Sequence, residues 1–167
     1  VVLGNEVLDA MPVRVWDHEA DALRELGVAL DADGGFAWAA RPADAALRDA
    51  VARALRAAGG ASGGTPGEAM GADGAARAGD PDPFALLGPG RYRSELGEQA
   101  GAWVRTVGRA LRRGAMLLVD YGFPAREYYH PQRDAGTLIA HRRHHAHGDV
   151  LRWPGLQDVT AHVDFSA

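Results

Sequence analysis

Ala115-Met116-Leu117-Leu118-Val119-Asp120-Tyr121-Gly122 is a continuous apolar run that stops abruptly at polar groups. A strand covered on both faces reads as such a run, and in open α/β sheets ligands gather beyond the carboxyl ends of the strands. Val1-Val2-Leu3, followed by Gly4-Asn5-Glu6, repeats the pattern at the start of the chain. Two strands of this kind, with helical segments between them, predict an α/β fold whose polar strand ends form the site.

Between and around these strands the periodicity changes. Leu96, Ala100, Trp103, Val104, Val107 and Leu111 fall on one helical face, with Glu95 and Glu98 early, Arg109, Arg112 and Arg113 late, and Gly114 as the stop. Those charges complement a helix dipole. Leu47, Val51, Ala54, Leu55 and Ala58 predict an earlier amphipathic helix behind a cap at Asp44. Val13 to Trp16 alternates, and Leu26–Leu30 is joined to Phe36–Trp38 by the turn-forming Asp31-Ala32-Asp33-Gly34-Gly35, which predicts a β-hairpin decorating the sheet. Thr137–His141 and Val159–Phe165 read as two further strands separated by a histidine- and arginine-rich connection. Residues 57–83 are dominated by glycine, alanine, aspartate and proline, a composition that predicts a disordered insertion. The glycines there follow no strand and miss the G-x-G-x-x-G spacing of a nucleotide loop.

A chain of 167 residues, 47% hydrophobic, supports one core. Its formal charge of -4 lacks the pervasive basic field of a dedicated nucleic-acid binder. Without cysteine there is no disulfide, thiolate ligand or cysteine nucleophile. No apolar run approaches the roughly 20 residues that span a bilayer, and no signal-like segment opens the sequence, so a cytoplasmic protein without membrane insertion is expected. The opening inside an apparent strand predicts a fragment or a late gene start.

Several phrases acquire meaning together: Gly4-Asn5-Glu6-Val7-Leu8-Asp9-Ala10-Met11-Pro12-Val13, Tyr92-Arg93-Ser94-Glu95, Asp120-Tyr121-Gly122-Phe123, Gly136-Thr137-Leu138, and Gly155 through Phe165. In order and spacing they resemble the MidA family of class I S-adenosylmethionine-dependent methyltransferases, nearly end to end outside the glycine-rich insertion. The resemblance implies a Rossmann-like sheet with helices on both faces. It also implies S-adenosyl-L-methionine as cofactor and, by analogy with the mitochondrial member, dimethylation of a protein arginine during assembly of a respiratory complex. A respiratory-complex subunit is thus the implied class of partner. In the family the cofactor's glycine-rich loop precedes the Asn5-Glu6 motif, so the chain is expected to be the C-terminal portion of a single methyltransferase domain, without that loop.

An arginine acceptor is charged at any working pH, so carboxylates must orient it and favour loss of its proton. Glu6 and Asp120 come from two predicted strand ends, and Asp9 and Glu95 open the segments that follow. Glu6 and Glu95 are the expected orienting pair, with Asp120 as a third catalytic acid. Asn5 and Tyr121 suit contacts to the acceptor or to the methionine moiety of the cofactor, and Asp9 suits substrate or cofactor binding. Asp9 and Glu95 equally suit helix capping. His141 and His162 are further site candidates. His162 has a structural alternative as a hydrogen-bonded histidine on the same strand face as Asp164.

The cluster His141-Arg142-Arg143-His144-His145-Ala146-His147 does not match the H-E-x-x-H spacing, and its arginines would repel a dication, so no metal centre is expected. A metal-dependent hydrolase is the weakest reading. The basic patch instead suits an acidic partner or a wall of a substrate groove. A non-catalytic assembly module on the same fold is the alternative to an enzyme.

Overall fold

The computed structural model describes residues 1–59 and 81–167. In chain order the strands and helices are β1 (Val2–Asn5), β2 (Arg14–Glu19), β3 (Ala22–Leu30), β4 (Phe36–Pro42), α1 (Ala45–Gly59), β5 (Tyr92–Leu96), α2 (Glu98–Ala110), β6 (Met116–Val119), β7 (Gly122–Phe123), α3 (Ala125–Tyr128), β8 (Ile139–Arg142), β9 (His145–His147), β10 (Asp158–Thr160) and β11 (Val163–Asp164), with a 3-10 turn at Pro83–Leu87. The predicted insertion at 57–83 is narrower at both edges. Ala57 to Gly59 close α1 and Pro83 opens the 3-10 turn, while residues 60–80 lie outside the described residues.

The two strands expected at Val1–Leu3 and Ala115–Val119 are present and pair directly. β1 and β6 run parallel in the register Val2 to Met116 and Asn5 to Val119, so their carboxyl ends open side by side. The fold is α/β, but the described residues do not form one doubly wound sheet with helices on both faces. β1–β6 and β7–β11 are separate parallel ladders, β10-β8-β9 is a three-stranded antiparallel sheet, and the largest sheet is antiparallel, in the order β4-β3-β2-β5. The predicted hairpin is therefore half of the main sheet rather than a decoration. Short connections between β2, β3 and β4 permit only antiparallel pairing, whereas parallel neighbours need a long crossover.

Local chemistry sets the ends of these elements. Asp31 Oδ1 accepts the N–H groups of Asp33 at 2.9 Å and Gly35 at 2.7 Å, and Gly34 takes a φ of 79°, which closes the β3–β4 turn. Asp44 caps α1 as expected, its Oδ1 accepting the Leu47 N–H at 2.7 Å. The second helix starts later than its periodicity suggested. Glu95 and Leu96 belong to β5, which pairs with β2 from Arg14–Leu96 to His18–Tyr92, and α2 begins only after Gly97. Leu96 fits the apolar stripe of a helix and the inward face of a strand alike, and pairing with β2 decides between them.

The core lies between the antiparallel sheet, α1, the 3-10 turn and α3. Trp16 is fully buried, stacks on Tyr92 at 5.8 Å and meets Tyr129 at 6.5 Å, while Leu47, Val51 and Leu55 of α1 close over this group. By contrast Leu3, Leu117 and Val119 leave one side of the β1–β6 ladder exposed. No helix among the described residues is long and apolar enough to cross a membrane.

One buried charge is held by two surface cations. Asp17 in β2 is fully buried, its Oδ1 accepts from Arg24 Nε at 2.8 Å and its Oδ2 from Arg91 Nη2 at 2.8 Å. Removing both arginines strands a carboxylate that water cannot reach, whereas removing the carboxylate leaves two guanidiniums at the surface. The Arg24→Ala/Arg91→Ala variant is therefore expected to melt at a lower temperature than Asp17→Asn, and adding Asp17→Asn to it should restore part of the loss. Calorimetric melting of the three variants tests this order.

Candidate functional site

The carboxyl ends of β1 and β6 are locked together by one side chain. Just past β1 the chain turns through Glu6, whose φ is 50°, and this aims the Val7 and Leu8 N–H groups at Asp120. Asp120 Oδ2 accepts both, at 3.1 and 2.8 Å, while its Oδ1 accepts from the Tyr121 N–H at 2.9 Å. Asp120 thus fixes the 6–9 loop to the end of β6, a role its position at a strand end alone did not reveal.

Beyond that lock lies a cleft of about 380 Å³ lined by Glu6, Asp9 and Tyr121 on one side and by Ile139 and His141 of β8, Asp158 and Thr160 of β10, Ala161 and His162 on the other. The two sides are joined where the Ala161 N–H donates to the Asp9 carbonyl at 2.9 Å. Tyr121 donates its hydroxyl to Glu6 Oε1 at 3.0 Å, a bond that raises the phenol's pKa above its ordinary value. Asp9 is buried, and its Oδ1 has no hydrogen-bond partner among the described residues. Burial raises the pKa of this carboxyl above the usual aspartate range, with Asp120, Glu6 and Asp158 adding repulsion and the Ala10 N–H opposing them.

Of the residues nominated from sequence, Glu6, Asp9, Tyr121, His141 and His162 converge on this cleft, and Asp120 organises its floor. Asn5 is exposed at the end of β1 and does not line it. Asp158 and Thr160 line it without having been singled out, although they lie inside the Gly155–Phe165 phrase. Asp158 pairs in register with His141 across β10–β8.

Glu95 does not line the cleft, so the expected Glu6–Glu95 pair is not formed there. It is 1% exposed in β5 and fully engaged: its carboxylate accepts the Thr137 N–H at 3.0 Å, the Leu138 N–H at 3.2 Å, the Thr137 hydroxyl at 3.1 Å and the Tyr128 hydroxyl at 3.4 Å. Burial raises its pKa, and these donors pull it back. Thr137 Oγ1 also accepts the His162 N–H at 3.0 Å, so Glu95 reaches the cleft through one intermediary. His162 itself precedes β11 rather than lying within it, and stacks on Phe123 with centroids 5.1 Å apart.

The remaining histidines are dispersed. His144 sits in the turn after β8, and His147 packs edge-on against Trp153 at 5.6 Å. Among the described residues no three His, Cys, Asp or Glu side chains form a group that could hold a metal ion.

The Gly136-Thr137-Leu138 phrase gains a physical reason here. Gly136 has a φ of 77°, and a Cβ placed on it would collide with the Glu95 carboxylate. Gly136→Ala is expected to cost about 1–3 kcal/mol of stability through backbone strain and a displaced buried carboxylate. Urea unfolding measures that cost, and an unchanged midpoint would show that the loop relaxes freely.

Known proteins resemble this chain over its whole length. Residues 1–167 match the model of a family described as "Putative S-adenosyl-L-methionine-dependent methyltransferase". A crystal structure from Burkholderia thailandensis, of a superfamily member and "likely methyl transferase" bound to S-adenosyl-homocysteine, is 42% identical with a TM-score of 0.74, covering 99% of this chain and 35% of that one. A native structure of an uncharacterized protein of the same superfamily and organism is 41% identical with a TM-score of 0.71, covering 99% and 36%. The chain thus spans about a third of the length of these two proteins. No curated protein matches it. Matched from its first residue to its last, the chain belongs to this methyltransferase family.

Proposed function

We propose that this chain forms the acceptor side of an S-adenosyl-L-methionine-dependent methyltransferase acting on a cationic protein side chain, most simply arginine. The observation that carries the reading is the buried, unpartnered Asp9 Oδ1 in a cleft that also presents Glu6 and Asp158. A lone buried acceptor among like charges is costly, and a cationic group supplies both the missing hydrogen bond and the missing charge. Family membership and the S-adenosyl-homocysteine bound to the Burkholderia thailandensis relative support the cofactor.

The acidic lining fits either cation of a methyl transfer, guanidinium or sulfonium. S-adenosyl-L-methionine, when bound, supplies an electrophilic methyl group. Asn5 and Tyr121, at the paired strand ends, would hold its methionine portion. Glu6, steadied by the Tyr121 hydroxyl, orients the acceptor guanidinium, and Asp9 Oδ1 accepts an N–H and holds the proton that the acceptor must lose. Glu95 acts at one remove, by fixing Thr137 and through it the backbone of His162.

The motifs shared with the MidA family, together with the acidic cleft, support arginine methylation of a protein such as a respiratory-complex subunit. A Rossmann-like arrangement in the longer protein accords with the parallel pairing of β1 and β6.

In the full-length protein Asp9→Asn should lower kcat/KM for methyl transfer about 100-fold, as expected for loss of a proton acceptor. Release of S-adenosyl-homocysteine measures this, and unchanged turnover would remove Asp9 from the mechanism. Because the folded-state pKa of Asp9 is raised, the native protein keeps a proton that the unfolded chain has lost. Its contribution to stability therefore falls as pH climbs from the unfolded pKa through the folded one. Affinity for a guanidinium ligand should run the other way, rising through the same window as Asp9 ionises. Asp9→Asn should abolish that rise. If the full-length protein takes up no S-adenosyl-L-methionine in calorimetric titration, the non-catalytic assembly reading replaces this one.

A further inference from the structure

The β8–β9 hairpin carries charge that the cleft does not use. Its two-residue turn, Arg143-His144, has φ values of 49° and 65°, both in the left-handed region. Two-residue turns of this kind are ordinarily built from Asn-Gly, because bulky side chains are strained there. Here an arginine and a histidine occupy both positions. Behind the turn, the Arg142 and Arg152 guanidiniums lie 4.1 and 4.3 Å from the centre of the Trp153 ring. Stacking fixes a guanidinium plane while leaving N–H edges available for a carboxylate. None of the ion pairs found among the described residues engages Arg142, Arg143 or Arg152.

The hairpin is continuous with the cleft. Ile139 and His141 line the cleft from β8, whereas Arg142 faces the other side of the strand with Trp153, so a segment leaving the cleft reaches the stacked arginines over the Arg143-His144 turn. At about 3.3 Å per strand residue the basic tip stands within ~10 Å of the acidic pocket. A ligand spanning both would place a cation in the cleft and anions a few residues away. The chain as a whole carries a formal charge of -4, and the neighbouring pocket is acidic, which disfavours a polyphosphate running across both.

We infer that the β8–β9 hairpin, with Arg142 and Arg152 stacked on Trp153 and Arg143 held in a strained turn, docks an acidic segment flanking the methyl-acceptor residue of a protein substrate. This rests on the acceptor-side reading above and adds a specificity element to it. The strain in the turn is then the cost of displaying charge where a stable hairpin would carry Asn-Gly.

Fluorescence anisotropy with the full-length protein tests it, using labelled peptides in which one arginine is followed by a short run of glutamates or, in a matched control, of lysines. The glutamate peptide should bind about tenfold more tightly at low salt, a preference that added salt weakens. Arg143→Asn/His144→Gly should raise the melting temperature while reducing the preference, and Arg142→Gln/Arg152→Gln should remove most of what remains. Equal affinity for the two peptides, or a preference unchanged in both variants, overturns the inference. So does a single-stranded oligonucleotide of equal charge that competes as well as the glutamate peptide. Replacing the peptide's arginine by glutamine separates the two readings: if the glutamate preference survives while that replacement has no effect, the docking surface stands and the cationic acceptor cleft falls.

Discussion

The Glu95 carboxylate joins the two halves of this molecule. It sits in the antiparallel sheet that carries the core and accepts from the Tyr128 hydroxyl of that core, yet its other donors are the backbone and hydroxyl of Thr137 and the Leu138 N–H, from the segment that leads into the cleft. A carboxylate at this depth is tolerable only because its lone pairs are met by so many donors. Remove them and the charge becomes a liability; remove the charge and the loop from Gly136 to Leu138 loses its anchor. Gly136 shows how closely the loop approaches, since a methyl group there has no room.

The cleft itself is assembled on a second carboxylate used in the same way. Asp120 spends its oxygens on the N–H groups of Val7, Leu8 and Tyr121, which leaves Glu6, Asp9 and Asp158 as the acids lining the cleft. Three acids from one short stretch of strand ends therefore do different work. Asp120 is satisfied by backbone, Glu6 by the Tyr121 hydroxyl, and Asp9 Oδ1 by nothing among the described residues. That gradation supports an acceptor site for a cation, because only the last of these groups gains a partner when a ligand arrives. Acids in the cleft and stacked arginines on the adjoining hairpin together give the surface two signs of charge, the pattern on which the proposed substrate recognition rests.

Much of the local structure was legible because it depends on neighbours in sequence. The Asp44 cap, the Asp31–Gly35 turn and the two apolar runs ending in polar residues follow from contacts a few residues long. The convergence of residues 6–9, 120–121 and 158–162 was legible in part, through the resemblance of their phrases to a methyltransferase family. The assignment of Glu95 was not. The helical spacing of Leu96 with Ala100 and Trp103 is genuine, but cross-strand pairing with β2 outweighs it, and no local pattern records which strand will lie alongside.

By itself the sequence determined the strands β1 and β6, the helix α1, the Asp31–Gly35 turn and the polar residues that collect at the ends of two parallel strands, because these features arise from short-range sterics, hydrogen bonding and apolar periodicity. Only the tertiary structure decided that the hairpin belongs to the main sheet, that Glu95 is a buried anchor rather than a cleft acid, and that Asp9 is the carboxylate left wanting. Each of those depends on which segments remote in sequence come to lie together, β5 beside β2 and Thr137 beside Glu95 among them, and that is a property of packing rather than of order along the chain.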